Sequence, residues 1–255
     1  MGDFLRNNLT LVKILFIVFL VLLLIGATFI AKKFERTQTR SEKIKKYVTI
    51  AVFSGLSVPL YLFAKIPFPI FTFLKLQISI LPAYIIGFLL GPTSGVMVVL
   101  IRTAICIPFT KNMCVGELAD LCIGVAATLT SSIYYLKNKT KARAAMSLVF
   151  ASVAWVITAI IANIILLLPF YIKLVFNDNL AGFVSMLAEN VPSINESNYM
   201  LMYVLIGVIP FNLIITVVSS VITFIVYKRI SKLYHNIAKE DNQKEENLDN
   251  STEKE

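Results

Sequence analysis

The sequence predicts an all-α integral membrane protein, a six-helix bundle preceded by one accessory transmembrane helix. Three observations carry this. Hydrophobic residues fill 57% of the 255 positions and charged residues 15%, against about 25% charge in soluble domains, and the mean hydropathy is +0.78. The apolar residues fall in runs long enough to cross a bilayer, which takes about 20 residues at 1.5 Å each. Basic residues collect where those runs end: Lys32 to Lys46, Lys137 to Arg143, and Lys228 to Lys232. That distribution marks cytoplasmic loops. It accounts for the net charge of +9 without a nucleic-acid partner.

The elements follow in order. Leu9 to Ala31 is long enough to span, and too long for the apolar part of a secretory signal. No convincing small-residue cleavage site precedes the basic cluster, so a retained helix with its N-terminus outside is expected. Residues 1–46 form this accessory helix and a basic linker, 47–233 the membrane domain, and 234–255 a disordered cytoplasmic tail, polar and without aromatics after Asn236. Within the domain, helices are expected near Tyr47 to Ala64, Ile78 to Leu90, Thr93 to Pro108, Val115 to Leu136, Met146 to Leu174 and Tyr199 to Tyr227. A tight turn, "GPTSG", separates the second from the third. Six crossings from a cytoplasmic start return every basic cluster to the cytoplasm.

Two outer segments stand out. "IPFPIFTFLKLQISI" has two prolines that discourage a helix and then alternates with period two from Leu74 to Ile80, which reads as an extended, partly buried loop. Between the fifth and sixth helices, Leu180, Phe183, Val184 and Leu187 share one helical face, which suits a short helix over the outer rim.

Few polar residues are left inside the apolar segments. Arg102 lies about eight residues, or about 10 Å, below the outer end of the third helix, too deep to reach the surface easily. Glu117 and Asp120, spaced i, i+3, share a face of the fourth helix and are expected to meet it. The cluster reads either as an ion pair that fixes packing or as the polar wall of a pocket open to the outside. Asn163, followed by Pro169 and Tyr171, and Asn212 place amides in apolar helices. Each must point inward, to a neighbouring helix or to a ligand. Ala51 and Gly55 form a small-x-x-x-small pair that serves packing within the bundle or docking of another membrane helix. Cys106, Cys114 and Cys122 have no metal-site spacing; buried thiols are the default, with a Cys106–Cys114 disulfide as the alternative.

No G-x-x-x-x-G-K-[ST] phosphate loop, H-E-x-x-H or G-x-S-x-G occurs, and the one histidine, His235, adjoins the polar tail. An enzyme is not expected, nor a cofactor or metal.

With these positions in place, "FLKLQISILPAYIIGFLLGPTSGVMVVLIRT", "VGELADLCIG", "NIILLLPFY" and "GVIPFNLIITVVSSVITFIVYKRIS" occur in the order and spacing seen in one family. From about Tyr47 to Leu233 the chain resembles the substrate-binding S components of energy-coupling factor (ECF) vitamin transporters, the riboflavin-binding branch most closely. The resemblance implies a bacterial plasma-membrane protein that binds a vitamin near the extracellular face under a lid, here Ile66 to Gln77. It implies docking through Ala51 and Gly55 to a transmembrane coupling subunit that works with two cytoplasmic ATPases, and delivery by toppling in the membrane. Phe73, Leu74, Lys75, Glu117, Asp120, Asn163, Tyr171 and Asn212 are then the expected ligand contacts, with Arg102 supporting the pocket. The branch usually reads FLKLDFSD after the lid and has a lysine three residues after the PFN asparagine; here Gln77, Ile80 and Ile215 stand at those places. Another vitamin, or a self-sufficient ion-coupled carrier, are the alternatives.

Overall fold

The computed structural model describes residues 40–109 and 115–252, together with isolated positions between 14 and 29. The accessory helix and Cys114 thus lie largely or wholly outside the described residues. Helix α1 spans Arg40–Leu62, so the end of the first basic cluster forms its opening turns. A two-residue strand pair follows, β1 (Ile66–Pro67) and β2 (Lys75–Leu76). Next come α2 (Leu81–Leu90), α3 (Pro92–Cys106) and α4 (Val115–Leu136). The fifth helix, α5, runs over Lys141–Val175, a short α6 over Leu180–Ala188. The last, α7, begins at Tyr199 and continues as Ile209–Thr252.

Among the described residues, four helical segments are long and apolar enough to cross a membrane: Pro92–Phe109, Val115–Leu136, Lys141–Val175 and Tyr199–Leu233. The second expected helix is shorter than the sequence suggests. It begins at Leu81, where Pro82 occupies the first turn without needing a donor N–H. At ten residues it is only about 15 Å long. Its position explains why that suffices: α2 packs against α1, α3, α4 and α7, and Pro82 to Phe88 are all buried. Its neighbours on every side, and not its apolar composition, set it at the centre of the bundle. Gly91 then reverses the chain with φ of 100° and ψ of 171°, an essentially glycine-only backbone region that costs a residue with a Cβ about 1–3 kcal/mol, and Pro92 starts α3 at once.

A second difference lies at the C-terminal end, where a structureless tail was expected. The backbone stays helical through Thr252, which accords with the strong helix formers Lys, Glu and Gln in "AKEDNQKEEN".

The main core gathers Ile50, Tyr84, Ile86, Val98, Val99, Val125, Ala151 and Trp155 from α1 to α5. Four helix hydroxyls are satisfied locally: Ser54, Thr103, Thr130 and Thr158 each donate to the carbonyl four residues earlier, which lets these polar side chains sit at apolar depth. A second apolar cluster caps the outer end. It joins Phe71 of the β1–β2 loop to Leu168 and Ile172 of α5, Phe183, Val184 and Leu187 of α6, and Tyr203 and Val208 of α7. The predicted rim helix is therefore present, and three of the four residues expected on its inward face are buried.

Candidate functional site

Two prolines shape the outer ends of α5 and α7. A proline cannot donate to the carbonyl four residues back, so the ladder around it must shift. Here it widens to five-residue steps. Asn163–Leu167 and Tyr171–Val175 flank Pro169 as π-helical turns, and Tyr203–Val208 precedes Pro210. The N–H of Leu168 donates to Asn163 O, that of Phe176 to Tyr171 O, and that of Ile209 to Val204 O. Such turns are concentrated at functional sites because they re-aim side chains out of the regular helical rows. Asn163, Tyr171 and Tyr203 each open one of them.

The amides are buried and bonded between helices. Tyr203 donates its hydroxyl to Asn163 Oδ1 at 3.0 Å, while Asn163 Nδ2 donates to Ala159 O at 2.8 Å. Trp155 Nε1 donates to Asn212 Oδ1 at 2.7 Å, and Asn212 Nδ2 to Val208 O at 2.7 Å. Both amides therefore tie α5 to α7, and each keeps a second acceptor lone pair on its oxygen and a second N–H.

The outer loop lies across this pair of helices. Ile66 pairs with Leu76 and Pro67 with Lys75 in antiparallel register, and two further backbone bonds, Phe68 N–H to Leu74 O and Leu74 N–H to Phe71 O, close the tip. The extended, partly buried loop expected from the prolines and the period-two pattern is what forms. Phe71 and Phe73 point down from it. Phe73 stacks on Tyr203 with ring centres 6.2 Å apart and meets Tyr171 at 5.9 Å; Phe71 meets Tyr203 at 5.9 Å. Phe68 packs edge-on against Phe211 at 5.7 Å. Gly207 makes room for the tip, since a Cβ there would lie 2.7 Å from the Phe71 ring. Of the other expected loop contacts, Leu74 is partly buried and Lys75 is exposed.

The charged residues form a second group behind the loop. Arg102 is 3% exposed and Glu117 8%; Asp120 is partly buried. Arg102 and Glu117 both meet Tyr61 of α1. Arg102 Nη1 donates to Ser79 Oγ at 2.8 Å, and the guanidinium lies 5.3 Å from the centre of the Tyr61 ring. Tyr61 in turn donates to Glu117 Oε1 at 3.3 Å. An aromatic residue from α1 thus stands beside both the cation and the carboxylate. Spacing along α3 and α4 contains no trace of a third helix entering between them. Asp120 accepts from Gln77 Nε2 at 2.5 Å. Arg102 Nε and Gln77 Oε1 have no hydrogen-bond partner among the described residues, so the group retains one donor and one acceptor.

Ala51 and Gly55 are exposed on α1, and among the described residues nothing lies within 4 Å of a Cβ built on Gly55. Around them Ile44, Tyr47, Val48, Val52 and Leu56 are also exposed. The neighbouring Ser54 and Ser57 face inward instead. Cys106 and Cys122 are buried free thiols. Sequence reasoning passed over Tyr203, Tyr61, Trp155 and Phe71. Tyr203 carried a usable signal, lying one helical turn before Gly207 on the proline-broken segment.

The comparisons with known proteins bear on this arrangement. Residues 45–227 match the family "ECF transporter, substrate-specific component". Among individual proteins, the riboflavin transporter RibU of Staphylococcus aureus (strain TCH60) is 28% identical over 204 residues, covering 79% of this chain and 98% of the relative. The riboflavin transporter FmnP of Bacillus subtilis (strain 168) is 26% identical over 192 residues, 74% of this chain and 93% of the relative. The solved structure of the S component of a bacterial ECF transporter superimposes with a TM-score of 0.58 at 26% identity, covering 75% of this chain and 98% of that one. A multi-pass helical bundle capped by an aromatic loop, matched over most of its length by the family's sequence pattern, makes this chain a member of the substrate-specific components of ECF transporters.

Proposed function

We propose that this protein captures riboflavin at the outer face of the membrane and hands it on within an ECF-type importer, without itself catalysing a reaction. The observation that carries this reading is the packing of Phe71 and Phe73 against Tyr203 and of Phe73 against Tyr171, with the buried Asn163 amide bonded to Tyr203. Aromatic faces hold a flat heterocycle. Asn163 and Asn212, each with donor and acceptor capacity to spare, suit the alternating carbonyl and imide edge of a flavin. The riboflavin transporters among the relatives support the same ligand.

The rest of the ligand extends along the loop's return segment. Phe73 and Gln77 are four residues apart, about 13 Å if extended, comparable with a flavin ring plus its polyhydroxyl side chain. The hydroxyls of that chain find Glu117, Arg102 Nε–H and Gln77 Oε1 at the far end. Leu74 and Lys75 complete the wall from the loop.

Ala51 and Gly55 are the docking face for a transmembrane coupling subunit, which works with two ATPases. An outward small-residue pair in an apolar surface lets a second helix approach closely. Flavin fluorescence quenching on titration of the purified chain tests the ligand. Saturation at one flavin per chain supports the proposal; no binding of flavins, with binding of another B vitamin from a panel, replaces riboflavin by that vitamin.

A further inference from the structure

The loop's return segment, Lys75 to Ser79, is fastened to three helices by side chains. Ser57 of α1 donates to the backbone carbonyl of Ser79 at 2.6 Å. Arg102 of α3 donates to the Ser79 hydroxyl at 2.8 Å. Gln77 donates to Asp120 of α4 at 2.5 Å. The loop tip, by contrast, packs on α5 and α7 through ring and apolar contacts, which have no single directional bond to break. The segment is thus pinned at its base and held at its tip by stacking.

From this we propose that Asp120 is a positioning residue, the acceptor of a latch that holds the base of the lid, rather than a ligand contact. Gln77 is the latch's donor. Position decides which of the three bonds governs the lid: Ser79 borders α2 and moves with the bundle, whereas Gln77 directly follows β2. Because β2 is paired to β1, fixing Gln77 fixes both strands, and the lid opens from the tip while its base stays in place. What the latch requires of residue 120 is an acceptor oxygen, not a charge. Residue 77 must bring a donor. The role in ligand retention rests on the vitamin-binding reading above, but the latch itself is a property of the unliganded chain.

The test is amide hydrogen exchange over residues 66–79 in the unliganded, detergent-solubilised full chain, with melting temperature and elution volume reporting the fold. Gln77→Leu and Asp120→Leu are expected to speed exchange in this segment by about 5- to 100-fold, the range implied by leaving one buried hydrogen-bonding group without its partner. Asp120→Asn keeps an acceptor and is expected to exchange like the wild type. Gln77→Glu alone sets two carboxylates together and opens the segment. The double variant Gln77→Glu with Asp120→Asn restores a donor–acceptor pair in reverse and closes it again, with side chains close in size to the originals. Unchanged exchange in both leucine variants overturns the latch, as does Asp120→Asn exchanging as fast as Asp120→Leu, since charge and not acceptance would then be the requirement. In parallel, flavin release is expected to be faster from Asp120→Leu than from Asp120→Asn. If the wild type binds no flavin, the ligand reading fails while the exchange data still decide the latch.

Discussion

Gly207 is the residue on which the seating of the lid depends most directly. A methyl group there would sit 2.7 Å from the Phe71 ring, and both groups are flanked by packed neighbours, so the ring has to move. Overpacking of this kind costs about 1–3 kcal/mol. Gly207→Ala is therefore expected to weaken flavin binding by about 10-fold or more while leaving the bundle folded, read by fluorescence titration beside a thermal melt. The buried amides make a different demand. Removing Asn212 leaves the Trp155 indole N–H without its acceptor and strips the proposed ligand edge of a partner. At about 1–3 kcal/mol for an orphaned buried group, Asn212→Ala is expected to lower both the melting temperature and the flavin affinity. Asn212→Asp retains the acceptor for Trp155 and separates the two effects, recovering stability more than affinity.

Among the elements, α2 and the turn after it organise the centre of the bundle. Gly91 holds φ at 100° and ψ at 171°, so Gly91→Ala is expected to cost about 1–3 kcal/mol, measured as a lower melting temperature with unchanged flavin stoichiometry. The four membrane-capable helices, the outer loop and the rim helix were legible in the sequence because hydropathy, basic clusters and side-chain periodicity are local signals. The short reach of α2 was not, since a central helix and a spanning one share the same apolar composition and only their neighbours differ. The aromatic loop and the asparagines were legible as candidates. Their assembly was not, because Phe73, Tyr203 and Asn163 meet through proline-driven π-turns whose phase cannot be counted along an ideal helix. The same limit applies to Tyr61, which enters the Arg102 and Glu117 group from a helix distant in sequence.

At the scale of the whole molecule, the bundle separates its tasks by face. The outer end is closed by rings and amides, the charged group backs the lid's return strand, and α1 presents Ala51 and Gly55 amid exposed Val48, Val52 and Leu56. Bulky replacements at both small positions, Ala51→Leu with Gly55→Leu, are expected to leave flavin binding intact, since both residues are exposed on the outward face of α1. Co-purification with a coupling subunit and its ATPases is expected to fall sharply. Preserved assembly would return the pair to an ordinary lipid-facing surface. The central claim is tested most directly by titrating the purified, ligand-stripped chain with riboflavin and following flavin fluorescence alongside a double variant, Phe73→Ala with Asn163→Ala. Saturable quenching at one flavin per wild-type chain is expected, with its loss in the variant. Quenching absent from the wild type, or equal in both, would contradict the claim.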